Sequence, residues 1–182
     1  MSSTLDRELL QHRIRRAARS HLPAAAPDYF RLLVGAVVGF GIVAIVLRRF
    51  TSVDPLWVLI GVALAYSLRS AYYKRKLAAD PTYALPKCGC HGSVNDRTEI
   101  VLRSTYSSTL GVSNSALGAI LYVALLSCVL LHLHGLATAF VVVAVVGSAY
   151  LGYVMVVRLG AICPTCVTIA GLNLLILWQL LA

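Results

Sequence analysis

The fold of this chain is decided by the stretch AICPTCVTIAGLNLLILWQLL, residues 161–181. A Cys-x-x-Cys motif opens an apolar run of the length that crosses a bilayer, about 20 residues. Cys163 and Cys166 therefore lie where a membrane helix begins, with both sulfurs on one helix face. The unpaired N–H groups and the dipole of that helix end favour a thiolate. The motif predicts redox chemistry at a membrane surface; structural cysteines and half of a zinc site are the alternatives.

The composition indicates an integral membrane protein with a single bundle domain. Hydrophobic residues make up 59% and charged residues 13% of the 182 residues, and the mean hydropathy is +0.80, outside the range of soluble proteins. The net charge of +9 comes from basic residues beside apolar runs. It favours anionic membrane lipids as partners rather than nucleic acid. No cleavable signal peptide is visible, because the first 28 residues are polar and arginine-rich.

Apolar runs predict an all-α integral membrane fold with five spans. A basic amphipathic helix at 4–20 is expected at the membrane interface before them. A long polar loop separates the second and third spans and contains Cys88, Cys90 and an amphipathic segment at 98–109. The short connections between the last three spans predict an antiparallel bundle. The predicted spans are residues 29–47, 55–73, 113–133, 136–157 and 161–181.

The span count predicts that all four of these cysteines lie on one side of the membrane. Cys88 and Cys90 follow span two, Cys163 and Cys166 begin span five, and the chain crosses the bilayer twice in between. Two dithiols within reach of each other can pass electrons by thiol–disulfide exchange. The sequence has no haem, flavin or nucleotide motif, so a quinone dissolved in the bilayer is the predicted terminal electron acceptor or donor.

Further motifs resemble the vitamin K epoxide reductase (VKOR) family in order and spacing. They are WVLI at 57–60, DPTY at 80–83, VSNSALGAILY at 112–122, and GSAYL at 147–151 followed eleven residues later by CPTC. The resemblance covers about residues 57–182 and implies a four-helix bundle around a quinone of menaquinone, ubiquinone or vitamin K type. The predicted division is a basic segment at 1–28, an extra transmembrane helix at 29–54, and the bundle at 55–182 with its cysteine loop at 78–112.

The resemblance also implies a role for each site residue. Cys166 becomes the thiol that reacts with the quinone, and Cys163 the thiol that exchanges with the loop pair, Cys88 and Cys90. The loop pair in turn exchanges with a thioredoxin-like protein or another thiol partner. Asn114 falls where the family has a hydrogen-bond donor to a quinone carbonyl, between two further candidate quinone-binding residues. The candidate quinone-binding set is Ser113, Asn114 and Ser115, which equally fits a helix N-cap.

Two positions depart from the family pattern. Thr98 stands where the second loop cysteine is expected, and threonine cannot exchange disulfides. Three outcomes remain open: Cys88 and Cys90 replace the usual loop pair, one loop cysteine works alone, or the shuttle is lost. Ala170 takes the place of a quinone-contacting tyrosine, which leaves the substrate open. Asn173, polar at membrane depth, is expected to face the bundle.

Two other classes of function remain open. The first is a zinc or copper site, whose ligand types are present in Cys88, Cys90, His91, Cys163 and Cys166. The favoured hypothesis, a quinone-linked thiol oxidoreductase, includes no metal. The second is an inactive relative of the VKOR family that only binds a partner. A bacterial multi-pass cell-membrane protein is expected. The positive-inside rule puts the thiol side in the cytoplasm, whereas the family resemblance favours the periplasm.

Overall fold

The computed structural model describes residues 27–51, 54–80, 92–109 and 112–181. Five apolar helices and one short polar helix, α3, make up most of this part of the chain. The amphipathic helix expected at 4–20 lies outside the described residues. The helices are α1 (Pro27–Phe50), α2 (Pro55–Ala79), α3 (Gly92–Arg103), α4 (Asn114–Leu130), α5 (His134–Tyr153) and α6 (Pro164–Leu181).

The apolar helices confirm the predicted all-α integral membrane fold. Four of them are long and apolar enough to cross a membrane: α1, α2, α6, and α5 with its continuation to Leu159. The fifth, α4, has 17 residues, which extend about 26 Å at 1.5 Å per residue. The protein is therefore a multi-pass integral membrane protein.

A four-helix bundle forms the centre of the molecule. α2 packs against α4 and α6, and α5 packs against the same two helices, so the order around the bundle is α2, α4, α5, α6. Ile60, Leu125, Leu172 and Ile176 are fully buried between these helices. Close packing of such side chains, rather than exclusion of water, holds helices together inside a membrane.

The extra helix α1 packs on the outside of α5 and α6 at glycine positions. A Cβ atom added at Gly152 of α5 would overlap the Tyr29 hydroxyl and lie 2.9 Å from Tyr29 Cζ. At Gly171 of α6 it would lie 3.1 Å from the Cβ of Ala36. Small residues let helix backbones approach each other. The ring of Tyr29 is thereby buried, while most of α1 stays exposed on its outer side, where lipid would lie.

Two boundaries differ from the sequence prediction. α2 continues beyond residue 73 to Ala79, because lysine and arginine are good helix formers and the Asp80 N–H still bonds the Lys76 carbonyl. The segment at 98–109 is not one amphipathic unit. α3 ends at Arg103 and is followed by a 3₁₀ turn, Thr105–Ser107, and by a short antiparallel pairing of Ser108–Thr109 with Val112–Ser113.

The Cys-x-x-Cys motif is introduced by an irregular turn after α5. Residues Val154–Leu159 form a π-helical turn that ends at Gly160, whose φ of 58° is in the left-handed region that glycine adopts without strain. The chain then enters the interior, where Ala161, Ile162 and Cys163 are all buried. The turn therefore places the first cysteine inside the protein before α6 begins.

A lysine fixes the segment that follows α3. Lys74, near the end of α2, donates hydrogen bonds to the Ser107 carbonyl at 2.5 Å, the Ser107 hydroxyl at 2.6 Å and the Ser108 hydroxyl at 2.6 Å. The end of α2, the segment after α3, and the starts of α4 and α6 thus meet at one end of the bundle, called here the thiol end. This agrees with the predicted crossings of spans three and four.

Candidate active site

Cys163 lies directly before α6, with its sulfur directed at the start of that helix. It accepts a hydrogen bond from the Cys166 backbone N–H at 3.4 Å. The neighbouring Cys166 thiol, the Thr165 N–H and, least of all, the Thr98 hydroxyl of α3 also favour the charged form of this sulfur. These donors, the Cys166 thiol foremost, lower the pKa of the Cys163 thiol against the opposing effect of burial. Both cysteines are free thiols in the structure, so Cys163 is the one prepared to ionise.

A cavity of about 420 Å³ opens inside the bundle next to Cys166. All four bundle helices and α3 contribute to its wall. The surface of its wall is mainly apolar and includes Leu121, Val143 and Ile169, with serine, asparagine and tyrosine side chains between them. A cavity of this size and character, with a few polar groups, is typical of a site for a small apolar ligand.

The two cysteines differ in their relation to the cavity. Cys166 is part of the cavity wall, whereas Cys163 is not among the lining residues. Cys163 instead belongs to a buried cluster with Val101 of α3 and Val167, and it is 1% exposed. Cys166 therefore borders the cavity, whereas Cys163 is buried beside it.

A buried polar network lies deeper in the cavity. The Tyr122 hydroxyl donates a hydrogen bond to Asn173 Oδ1 at 2.6 Å, and Asn173 Nδ2 donates to Ser148 Oγ at 2.9 Å and to the Ala144 carbonyl at 3.4 Å. Asn173 follows Cys166 by seven residues, or about 10 Å along the helix. Asn173 thus both bonds two neighbouring helices and lines the cavity, as its position at membrane depth predicted.

The start of α4 brings polar groups to the thiol end of the cavity. Ser113 is the N-cap of α4, and its hydroxyl accepts a hydrogen bond from the Ala116 N–H at 3.1 Å. Asn114 Nδ2 donates to the Tyr106 carbonyl at 2.8 Å. Asn114 and Ser115 line the cavity, and Ser113 does not. The capping role predicted for this tripeptide is therefore taken by Ser113.

Comparison with known proteins assigns the chain to a family. Residues 55–181 match the sequence profile of the vitamin K epoxide reductase family. The chain belongs to this family. A comparison with the curated proteins gave no match. Membership of the VKOR family indicates a membrane thiol–disulfide oxidoreductase linked to quinones, and α1 precedes the matched residues.

The structure describes some, but not all, of the site residues implied by the VKOR resemblance. Cys88 and Cys90 lie outside the described residues, so their role remains a prediction. Thr98, at the position of a VKOR loop cysteine, lies on α3 one turn before Val101, which packs in the same buried cluster as Cys163. Ala170 is buried but does not line the cavity. Cys128 is buried in the bundle core, consistent with a packing role.

The hypothesis of a zinc or copper site depends partly on residues that the structure does not describe. Within the described ranges, no three side chains of histidine, cysteine, aspartate or glutamate come together as a metal site. Three of the five ligands of that reading are Cys88, Cys90 and His91, all between α2 and α3. Metal analysis of the whole protein is therefore the test of this alternative.

Several residues of the site were not found by reading the sequence. Ser67 and Ser70 of α2 are buried and line the cavity. Tyr122 was visible only as the end of a VKOR motif, and its bond to Asn173 joins residues 51 positions apart. Polar side chains inside otherwise apolar spans were the available signal, because such groups face a protein interior or a cavity.

We expect Asn173→Leu to lower the free energy of unfolding by about 1–2 kcal/mol, because Tyr122 and Ser148 each lose a buried hydrogen-bond partner. The measurement is unfolding of the detergent-solubilised protein by increasing sodium dodecyl sulfate. Ser127→Ala is the control, since that exposed hydroxyl bonds only the Val123 carbonyl of its own helix. Equal destabilisation by both variants would contradict a special contribution from the network.

Proposed function

We propose that this VKOR family protein transfers two electrons between the Cys163–Cys166 dithiol and a quinone bound in the cavity. In the direction of quinone reduction, the two thiols lose two electrons and two protons and form a disulfide. The quinone takes up both electrons and both protons and becomes a quinol. The observation that carries this proposal is the position of the two cysteines, with Cys166 on the cavity wall and Cys163 buried next to it.

Each residue at the thiol end has a distinct part in this reaction. Cys166 is the thiol that reacts with the quinone, and Cys163 is the thiol that exchanges. Asn114 and Ser115, on the cavity wall, donate hydrogen bonds to a quinone carbonyl, and Ser113 holds the start of α4. A donor fixed in advance stabilises charge that develops on the carbonyl during reduction. A menaquinone, a ubiquinone or a vitamin K type of quinone fits the apolar cavity.

Cys88 and Cys90 connect the dithiol to a thiol partner in this proposal, for example a thioredoxin-like protein. A disulfide between Cys163 and Cys166 would be reduced by the loop pair, and the loop pair by the partner. Support comes from the flanks of the loop, because α2 ends and the segment after α3 is fixed at the thiol end. The neighbouring donors, the Cys166 thiol foremost, lower the pKa of the Cys163 thiol, which suits a thiol that takes part in exchange.

The test follows quinone and thiols together in protein held in lipid nanodiscs. The protein is reduced, freed of reductant without oxygen and mixed with a short-chain ubiquinone or menaquinone. We expect one quinol per disulfide, with the disulfide located by mass spectrometry in the peptide of Cys163 and Cys166. Disulfide formation that does not depend on quinone would contradict the proposal. Stoichiometric zinc or copper that blocks these thiols would favour the metal-binding reading.

We further propose that the thiol end faces the cytoplasm of a bacterial cell. Basic residues at this end include Lys74, Arg75, Lys76, Arg103 and Arg158, and the opposite end has Arg48 and Arg49. An excess of basic residues marks the cytoplasmic side. A membrane-impermeant maleimide added to spheroplasts is expected to label His132→Cys, in the turn after α4, and not Arg75→Cys. The reverse pattern would place the thiol end outside.

A further inference from the structure

Two serines of α2 form part of the cavity wall and have hydroxyl groups that are not bonded to the protein. Ser67 is 2% and Ser70 is 8% exposed, and both line the cavity. Neither hydroxyl has a hydrogen-bond partner in the part of the chain that the structure describes. Within the same part, every side-chain oxygen that is sealed from its surroundings does have a partner. The oxygens of Ser67 and Ser70 are therefore open to the cavity.

These two serines differ from other hydroxyl residues in the apolar helices. A serine or threonine inside a helix commonly donates to the carbonyl four residues earlier. Ser127 donates in this way to the Val123 carbonyl at 3.0 Å, and Thr138 to the His134 carbonyl at 2.9 Å. Ser67 and Ser70 make no such bond, so each has a donor available for a molecule in the cavity.

Both serines lie beside the start of α4. A Cβ atom added at Gly118 would be 3.3 Å from Ser67 Oγ, so the missing side chain at Gly118 leaves this oxygen uncovered. Because α2 ends and α4 begins at the thiol end, Ser70 lies about 4.5 Å closer to that end than Ser67. It is thus near the level of Asn114 and Ser115, which also line the cavity. Polar side chains of two adjacent helices border the same part of the cavity.

The deeper polar network of the cavity is different, because its donors are already used. The Tyr122 hydroxyl and Asn173 Nδ2 both donate to oxygen atoms of the protein. A ligand would have to compete with these bonds. Ser67 and Ser70 give up no bond when they donate to a ligand, and a buried polar group without a partner gains most from a new one. Polar groups inside membrane spans also commonly mark a ligand path.

We propose that Ser67 and Ser70 are quinone-binding residues that donate hydrogen bonds to a carbonyl oxygen of the bound quinone. This inference rests on the proposed function and adds α2 to the helices that recognise the quinone ring. A carbonyl oxygen has two lone pairs, so it accepts bonds from α2 as well as from α4. The ligand must therefore have an acceptor near the thiol end, because a pure hydrocarbon would leave both hydroxyls unpaired.

The first experiment observes the hydrogen bonds on the quinone itself. Protein with Cys166→Ser, in which the bound quinone stays oxidised, is loaded in nanodiscs with short-chain ubiquinone or menaquinone. Infrared difference spectra between unlabelled quinone and quinone isotope-labelled at its carbonyl carbons isolate the carbonyl stretching bands. Hydrogen bonding lowers the stretching frequency of a carbonyl, so we expect a band below that of the same quinone in empty nanodiscs.

Removing the two hydroxyls should move this band back towards its position in lipid. The variant is Ser67→Ala with Ser70→Ala in the same background. Ser127→Ala is the matched control, because it removes a hydroxyl from an apolar helix outside the cavity wall. The control should leave the band in place. An identical band position with and without the two α2 hydroxyls would overturn the proposal.

The second experiment measures quinone affinity by equilibrium dialysis, with empty nanodiscs to subtract partition into lipid. We expect the dissociation constant to rise about tenfold in the double alanine variant, because the bound carbonyl loses hydrogen-bond donors in an apolar cavity. Ser127→Ala should bind with unchanged affinity. If the double variant binds both quinones as tightly as this control, the two serines do not contact the ligand.

Stability without quinone separates ligand binding from a structural role. The two alanines break no hydrogen bond within the described part of the chain, so resistance to sodium dodecyl sulfate should not fall, in contrast to Asn173→Leu. Lower resistance with unchanged quinone affinity would show that the serines only pack the helices, and would contradict the proposal. Absence of quinone binding before any serine is changed would defeat the proposed function itself. Quinone binding that ignores both serines would defeat this inference alone.

Discussion

Cys166→Ser should abolish quinone reduction, with turnover reduced by more than about 10³-fold, because it removes the sulfur on the cavity wall that is proposed to react with the quinone. The serine hydroxyl is a much weaker nucleophile and cannot form a disulfide with Cys163. The measurement is quinol formation by protein in nanodiscs, with dithiothreitol supplying electrons. The variant should remain folded, because serine is close to cysteine in size.

A matched control comes from the third described cysteine. Cys128 is buried in the core of the bundle and is not part of the cavity wall. Cys128→Ala removes a thiol from the membrane interior without touching the site, so turnover close to that of the unaltered protein is expected. If Cys166→Ser turned over as fast as Cys128→Ala, the reacting thiol would have to be another cysteine.

Filling the cavity should have the second largest effect. Gly147 of α5 lines the cavity, and a Cβ atom added there meets nothing within 4 Å. Gly147 is exposed at the border of the cavity, so Gly147→Phe should narrow the space proposed for the quinone without disturbing a packed contact. We expect kcat/KM for quinone to fall by at least about tenfold, mainly through KM, because ligand affinity depends on the space that the cavity offers.

The control for this variant is a phenylalanine introduced outside the cavity, at a position where it contacts no other helix. Gly61 of α2 is exposed, is not part of the cavity wall and also has nothing within 4 Å of an added Cβ atom. Gly61→Phe should leave quinone reduction unchanged. In Gly147→Phe, alkylation of the thiols by a small reagent should continue at the usual rate. Normal quinone kinetics in Gly147→Phe would mean that the substrate binds elsewhere.

The membrane fold was predictable because apolar runs report directly on the bilayer. The last two spans were placed within a few residues, since their ends coincide with the polar turn before His134 and with the Cys-x-x-Cys motif. The helical boundary at Ala79 was missed because hydropathy marks the edge of the membrane and not the end of a helix. α3 was missed as a separate helix because Gly92–Arg103 is mostly polar and short, which leaves only a weak helical pattern.

The part of the site whose residues are close together in the sequence was predictable. The spacing of Cys163 and Cys166 predicted that one helix end would serve both thiols. Which cysteine borders the cavity depends on the π-helical turn before α6, and this turn leaves no periodic signal in the sequence. The bond between Tyr122 and Asn173 joins two spans, so a single sequence gives the polar residues without their pairing. The exchange role of Cys88 and Cys90 stays a prediction.

Tyr29 of α1 packs directly against Gly152 of α5, so the sizes of the residues at these two positions depend on each other. A larger side chain at 152 is compatible only with a smaller one at 29, or with a chain in which α1 is missing. Aligned relatives should therefore show covariation between these two columns. Chains that carry the additional helix with tyrosine at this position should keep glycine at the position of 152, whereas chains without the helix can have a larger residue there.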